Sequence, residues 1–198
     1  STRFEIAAGI RKISDIDGPA LLYEKIKDYP NWKVAAGIYG TRKLLAMALE
    51  TSEDEMMAHY ETLEKKSIPP CEVDSGASQE VVITGDDIDL YQLPIPVHSE
   101  FDVGSYITIG VQFGKDPETG AGNLGIHRML VMGKNRLSLW APPDHHIGRF
   151  ITRAEDHGKG LPVATIIGAG PRLVIASQVK APLGVDEMHI AGGMKGEA

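Results

Sequence analysis

The sequence holds a single cysteine, Cys71, in 198 residues. An intrachain disulfide is therefore impossible, and so is a zinc site built from several thiolates; one unbridged thiol fits the reducing cytoplasm, which is the expected location. Long apolar runs are missing too. The longest, Ile6-Ala7-Ala8-Gly9-Ile10 and Leu44-Leu45-Ala46-Met47-Ala48-Leu49, fall far short of the roughly twenty residues that cross a bilayer. Positive charge is scarce: 20 Lys and Arg stand against 27 Asp and Glu, a formal net charge of −7, and no basic run exceeds two residues. Neutralising a nucleic-acid backbone needs the opposite balance. Internal repeats and low-complexity tracts are absent as well. With 42% hydrophobic and 24% charged residues, what remains is an ordinary globular composition, long enough for one large domain or one and a half small ones.

Ser1 opens the chain without an initiator Met or a basic segment leading into an apolar core, as a signal peptide would have. The other end, from His189 through Ala191-Gly192-Gly193 to Ala198, is rich in glycine and predicts neither a docking helix nor a final strand. Both ends read as those of a fragment.

Hydrophobic spacing predicts a helix over residues 4–13, broken by Asp17-Gly18-Pro19 before a strand at Ala20-Leu21-Leu22-Tyr23. Residues 32–39 are rich in strand formers. Thr41 then caps a helix running to Leu49, and Ser52 with Glu55 makes a capping box for another. After Ser67-Ile68-Pro69-Pro70 the texture turns to β, with strands expected at residues 80–84 and 106–111. A turn-rich run from Asp116 to Asn123 joins antiparallel strands at 109–113 and 125–131 in a hairpin, and Gly133-Lys134-Asn135-Arg136 turns into a strand at 137–140. Residues 146–157 predict a helix with Ile147, Phe150, Ile151 and Ala154 inward, and residues 163–167 and 173–176 two more strands. The fold class is α+β, with an α/β region over residues 1–75 and a β-rich one over 76–198.

Gly168-Ala169-Gly170 follows a predicted strand, as a dinucleotide loop would. Pro171 and Arg172 interrupt that fingerprint, however, and the next segment reads as a strand where a helix should begin. His145 and His146 sit at a predicted helix start, where neighbours point in different directions, so at most one faces a given site. Asn123 alone is most simply a hairpin residue, and Glu187 a surface acid in the loop Pro182-Leu183-Gly184-Val185-Asp186-Glu187. Brought together, an Asn oxygen, a His nitrogen and a Glu oxygen form a hard donor set that suits Mn²⁺ or Mg²⁺ and leaves room for phosphate and water. Arg128 lies an odd number of residues beyond Asn123, on the opposite face of a regular strand. A shared site needs a turn at Asn123 or an irregular strand, which Gly122 and Gly125 permit. Buried, that arginine must meet a carboxylate or phosphate; exposed, it is an ordinary strand residue.

In order and spacing, Gly122-Asn123-Leu124-Gly125-Ile126-His127-Arg128, then His146, then Pro182-Leu183-Gly184-Val185-Asp186-Glu187 resembles the UbiD family of prenylated-flavin-dependent reversible decarboxylases. Phe4-Glu5-Ile6-Ala7-Ala8, Glu80-Val81-Val82-Ile83-Thr84-Gly85, Leu93-Pro94-Ile95-Pro96, Tyr106-Ile107-Thr108 and Asp116-Pro117-Glu118-Thr119-Gly120 carry the likeness through almost the whole chain. The resemblance implies that residues 76–198 are the first part of a split β-barrel flavin-binding domain. It implies prenylated FMN as cofactor, with Asn123, His146 and Glu187 binding a Mn²⁺ (or Mg²⁺) that bridges to its phosphate. Leu124, Gly125, Ile126, His127, Arg128 and His145 would line the cofactor beside them. A potassium ion is implied in some members, on carbonyls near Leu124, Ala176, Ser177 and Val179.

Arg128 is the catalytic residue that the resemblance implies, one member of a Glu-Arg-Glu network around a reacting aromatic or α,β-unsaturated acid. Its guanidinium would orient the carboxylate through two hydrogen bonds while a network acid supplies the proton that replaces CO₂. The flavin would form an adduct with the substrate and accept electron density as the C–C bond breaks. In the family the network glutamates and a C-terminal domain with dimer contacts lie beyond the position of Ala198. The chain is therefore expected to lack the acid and not to turn over alone, with a homo-oligomer or a partner polypeptide carrying the missing half. A reading from a different class makes it a non-catalytic subunit that holds cofactor or metal for a separately encoded partner. A generic barrel for ordinary FMN fits less well, having no use for an Asn, His and Glu metal set.

Overall fold

Glu5–Ser14 forms the first helix, α1, with Glu5 in its first turn and Arg11 and Lys12 in its last, each complementing the helix dipole, and with Ile6 buried. Strands β1 (Leu21–Tyr23) and β2 (Val34–Ala36) pair antiparallel. Helix α2 (Arg42–Ala48) is capped as its sequence predicts, Thr41 Oγ1 accepting the Leu44 N–H at 3.2 Å. Helix α3 follows at Met56–Leu63, entered through a turn that ends at Glu55. The computed structural model, which describes residues 1–197, contains no strand at residues 80–84. Val81, Val82 and Ile83 are exposed there, and among the described residues no strand lies alongside to pair with them, so β-branched composition alone does not make a strand.

Each of the two long strands expected in the second half is divided. Residues 106–111 become the whole of β3 (Tyr106–Ile107) and the start of β4 (Gly110–Lys115), while residues 125–131 become the end of β5 (Gly122–Ile126) and the start of β6 (Met129–Gly133). Strand β7 (Arg136–Leu139), helix α4 (His146–Asp156) and strand β8 (Val163–Ile167) follow. The breaks at Thr108-Ile109 and His127-Arg128 pass the chain from one sheet to the other: β3-β6-β7 and β5-β4-β8 are separate three-stranded sheets, both open rather than closed into a barrel.

The expected strand at residues 173–176 is helix α5 (Pro171–Ala176), with Pro171 pre-set for the first turn. This removes one ground against a dinucleotide loop at Gly168-Ala169-Gly170. The antiparallel pairing of β8 with β4 supplies a better one, because dinucleotide folds need a parallel sheet. A sixth helix, α6 (Glu187–Lys195), occupies the glycine-rich end where none was expected. Asp186 caps it by accepting the Met188 N–H, and Gly196 closes it at φ 88°.

The chain forms two units. One comprises Ser1–Glu53, Glu72–Ile107 and Met129–Ser138; the other comprises Asp54–Cys71, Thr108–Arg128 and the residues from Leu139 onward. The second holds β4, β5, β8 and helices α3 to α6, with Val111, Leu124, Ile147, Phe150, Ala176, Ile190 and Met194 in its core. A fully buried side chain such as Phe150 contributes about 2–3 kcal/mol of transfer free energy. Among the described residues no helix is long and apolar enough to cross a membrane.

Candidate metal and cofactor site

Three elements of the second unit meet where β5 begins. Strand β5 is an edge of its sheet, so every other N–H points away from β4. Asp186 Oδ2 accepts the Gly122 N–H at 3.0 Å and Glu187 Oε2 the Leu124 N–H at 3.3 Å, so two acids at the start of α6 satisfy the strand's free edge. Glu187 Oε1 receives the Asn123 amide Nδ2 at 3.1 Å and lies 3.3 Å from Nδ1 of His146, the first residue of α4. Gly114, opposite Asn123 on β4, lets α4 approach: a Cβ there would stand 2.6 Å from Ile147.

Asn123, His146 and Glu187 thus converge on one carboxylate oxygen. Glu187 is 2% exposed, far from the surface position that its loop suggested. Burial raises its pKa, outweighing the hydrogen bonds from Asn123 and the backbone and the pull of His146. Among the described residues no group of three or more His, Cys, Asp or Glu side chains is gathered as a metal cluster, and this set reaches three through its asparagine. As placed, the amide offers Nδ2 to Glu187; a metal ligand would present Oδ1, a half-turn of the amide away.

Further along β5, Gly125 leaves bare backbone between two polar groups. A Cβ there would meet His127 Nε2 at 3.0 Å and Asn123 Oδ1 at 3.9 Å, which places residues 123, 125 and 127 on one face. The His127 ring is tilted against that of His145 with centroids 5.5 Å apart, and its pKa is lowered by burial and then by His145, against a hydrogen bond to the Trp140 backbone. Leu124 is a core side chain, so its backbone is what it offers a ligand, and Ile126 is half-buried. Arg128 does not join this cluster. Beyond the end of β5 its exposed guanidinium lies 5.4 Å from the centre of the Trp140 ring. Gln112 and Trp140 carry no site signal in the sequence, whereas Asp186 has a readable one as a helix cap.

Two family models account for the chain. The N-terminal domain of 3-octaprenyl-4-hydroxybenzoate carboxy-lyase matches residues 1–63, and the Rift-related domain of the same enzyme, UbiD, matches residues 71–198. The chain belongs to the UbiD family. It is 35% identical over 192 residues to anhydromevalonate phosphate decarboxylase of Methanothermobacter thermautotrophicus, covering 96% of this chain and 43% of that protein. Among solved structures, the UbiD-class enzyme HmfF from Pelotomaculum thermopropionicum, in complex with FMN, superposes with a TM-score of 0.86 at 35% identity, over 98% of this chain and 43% of HmfF. An evolved dimeric form of HmfF in complex with prFMN gives 0.87 at 36% identity, over 98% and 45%. Vanillic acid decarboxylase of Sedimentibacter hydroxybenzoicus, in its closed form, gives 0.88 at 26% identity, over 98% and 43%. The chain thus spans less than half the length of these UbiD relatives.

Proposed function

We propose that this chain holds the metal and cofactor of a UbiD-type carboxy-lyase acting on an aromatic or α,β-unsaturated carboxylic acid, or on its CO₂ acceptor in reverse. The observation that carries the reading is the meeting of Asn123, His146 and Glu187. A buried carboxylate with an imidazole and an amide both within hydrogen-bond reach of one of its oxygens is a donor set for Mn²⁺ or Mg²⁺, and a cation there would offset the cost of burying Glu187. The same cation would hold the phosphate of prenylated FMN, with the bare backbone at Gly125 and the residues from Leu124 to His127, together with His145, lining the cofactor. When bound, prenylated FMN supplies the electron sink for C–C cleavage. Arg128 orients the acid: a guanidinium lying over an indole keeps its in-plane N–H groups free to grip a carboxylate.

A potassium ion on the carbonyls of Leu124, Ala176, Ser177 and Val179 belongs to the same proposal. The first three each accept one hydrogen bond and keep a second lone pair. In this reading residues 76–198 are the flavin-binding part and residues 1–75 the N-terminal α/β part of the sequence. The proton-donating acid and the oligomer contacts would come from polypeptide corresponding to the rest of the relatives' length, in a cytoplasmic assembly.

The test is Mn²⁺ binding followed by the loss of the aqueous ion's EPR signal. The chain is expected to bind Mn²⁺, with Asn123→Leu, His146→Leu and Glu187→Gln each weakening it at least tenfold, about 1.4 kcal/mol, and prenylated FMN is expected to be retained only with the metal. Binding that survives Glu187→Gln would leave the cluster a structural hydrogen-bond network and overturn the reading.

A further inference from the structure

Gln112 lies on β4 with its side chain almost fully enclosed, 1% exposed, and both ends of its amide meet the backbone of His127. Oε1 accepts the His127 N–H at 2.6 Å, and Nε2 donates to the His127 carbonyl at 3.1 Å. The β4–β5 ladder runs from Lys115 opposite Gly122 to Val111 opposite Ile126 and stops there. One more step would set Gly110 against His127. In its place the glutamine reproduces both halves of a backbone pair, reaching diagonally from its own position opposite Gly125, which carries no side chain to obstruct it.

The path of the chain beyond His127 depends on that hold. The His127 ring is fixed against His145 and the Trp140 backbone. The next carbonyl, of Arg128, receives the Trp140 N–H at 3.5 Å, and the Arg128 guanidinium settles over the indole, which is 61% exposed. An apolar residue at 112 would leave the N–H and C=O of a buried residue without these partners and release the bend.

We propose that Gln112 is a positioning residue: its amide replaces the ladder at His127 and so fixes the break beyond which Arg128 settles onto Trp140. Its bearing on catalysis rests on the proposed function, in which Arg128 orients the acid; its bearing on Arg128 does not.

Trp32 and Trp140 are the two tryptophans of the sequence, so Trp32→Phe makes Trp140 the sole reporter. In that background the Trp140 fluorescence lifetime is compared for Arg128→Gln, Gln112→Met, Gln112→Glu and the Gln112→Met/Arg128→Gln pair, with Mn²⁺ affinity measured on each. Gln112→Met is expected to shift the lifetime as Arg128→Gln does, and the double variant to add nothing further. Gln112→Glu, which keeps the acceptor and regains a donor only when protonated, should show the shift at pH 8 and lose it at pH 5, each against the Trp32→Phe chain at the same pH. Mn²⁺ affinity should stay within about twofold throughout, as for independent sites, so a failure here is distinguishable from a failure of the metal site. If Gln112→Met does not fold, Gln112→Glu carries the comparison. A lifetime that is unmoved by either Gln112 variant, or by Arg128→Gln itself, overturns the proposal.

Discussion

Asn123 and Glu187, 64 residues apart in sequence, are joined by a 3.1 Å hydrogen bond from Nδ2 to Oε1. The bond ties the first residue of a helix to an edge strand at a fixed register, since a slip of one residue would bring Gly122 or Leu124 to the acid instead. Burial raises the pKa of Glu187, so the folded chain binds that proton more tightly than the unfolded chain. Stability without metal therefore falls as pH rises from the ordinary carboxylate value through the raised one. Glu187→Gln should remove that loss and be more stable than the parent at pH 8 by on the order of 1 kcal/mol, with the gap closing toward pH 5. Mn²⁺ should reverse the ranking, stabilising the parent by about 2.7 kcal/mol at a hundredfold excess over Kd and the variant, with its site at least tenfold weaker, by no more than about 1.4 kcal/mol. Thermal melts at both pH values, with and without the ion, check it.

Asp116 anchors the β4–β5 hairpin to α4. Burial pushes its pKa up, but the Glu118 N–H, Arg153 and the Thr119 hydroxyl all donate to the carboxylate and together hold it below its ordinary value. Its contribution is thus present at neutral pH and lost as pH falls below about 4. Asp116→Asn should cost about 2–3 kcal/mol at pH 7 in urea unfolding and much less at pH 3. Arg153→Met should cost less than Asp116→Asn, because Arg153 is 28% exposed and the carboxylate keeps its other donors. Equal costs at the two pH values would show that the charge of Asp116 does not matter.

His127 has the opposite sign to Glu187. Burial and the neighbouring His145 lower its pKa, so the unfolded chain binds the proton more readily, and stability drops as pH falls below the free imidazole value of about 6.5. Between pH 8 and pH 5 the parent should lose more melting temperature than His127→Gln. An identical loss in both would place the His127 ring in water rather than in its enclosure against His145.

How far the sequence reveals this arrangement differs from element to element. Helices α1, α2 and α4 are legible because amphipathic spacing and a cap such as Thr41 are local signals. The segment at residues 173–176 misleads because β-branched residues say nothing of what lies beside them, and Pro171 at a helix start outweighs them. The meeting of Asn123, His146 and Glu187 is only a resemblance in the sequence, since each comes from a different element. Arg128 shows the limit from the other side. Strand alternation separates it from Asn123, but that its strand would break at His127 depends on a glutamine fifteen residues earlier, with no local trace.

Helix α6 escapes the sequence pattern for a reason that makes a prediction. Gly192 and Gly193 lower helix propensity, yet a Cβ on either would stand 2.3 Å from a backbone oxygen, that of Ile68 or of Lys66, so the glycines are what let α6 close on that segment. No rotamer change relieves a clash with backbone. Gly193→Ala should therefore push α6 outward, costing about 1–3 kcal/mol. Because Glu187 opens the same helix, Mn²⁺ affinity should fall about tenfold, or 1.4 kcal/mol, as well. Gly196→Ala separates the two effects: its φ of 88° strains any other residue, but a Cβ there meets nothing within 4 Å. It should cost about 1 kcal/mol in stability and leave Mn²⁺ affinity intact. If both alanines weaken the metal site equally, loosening of the helix as a whole is responsible, and the close approach at Gly193 is not what holds Glu187 in place.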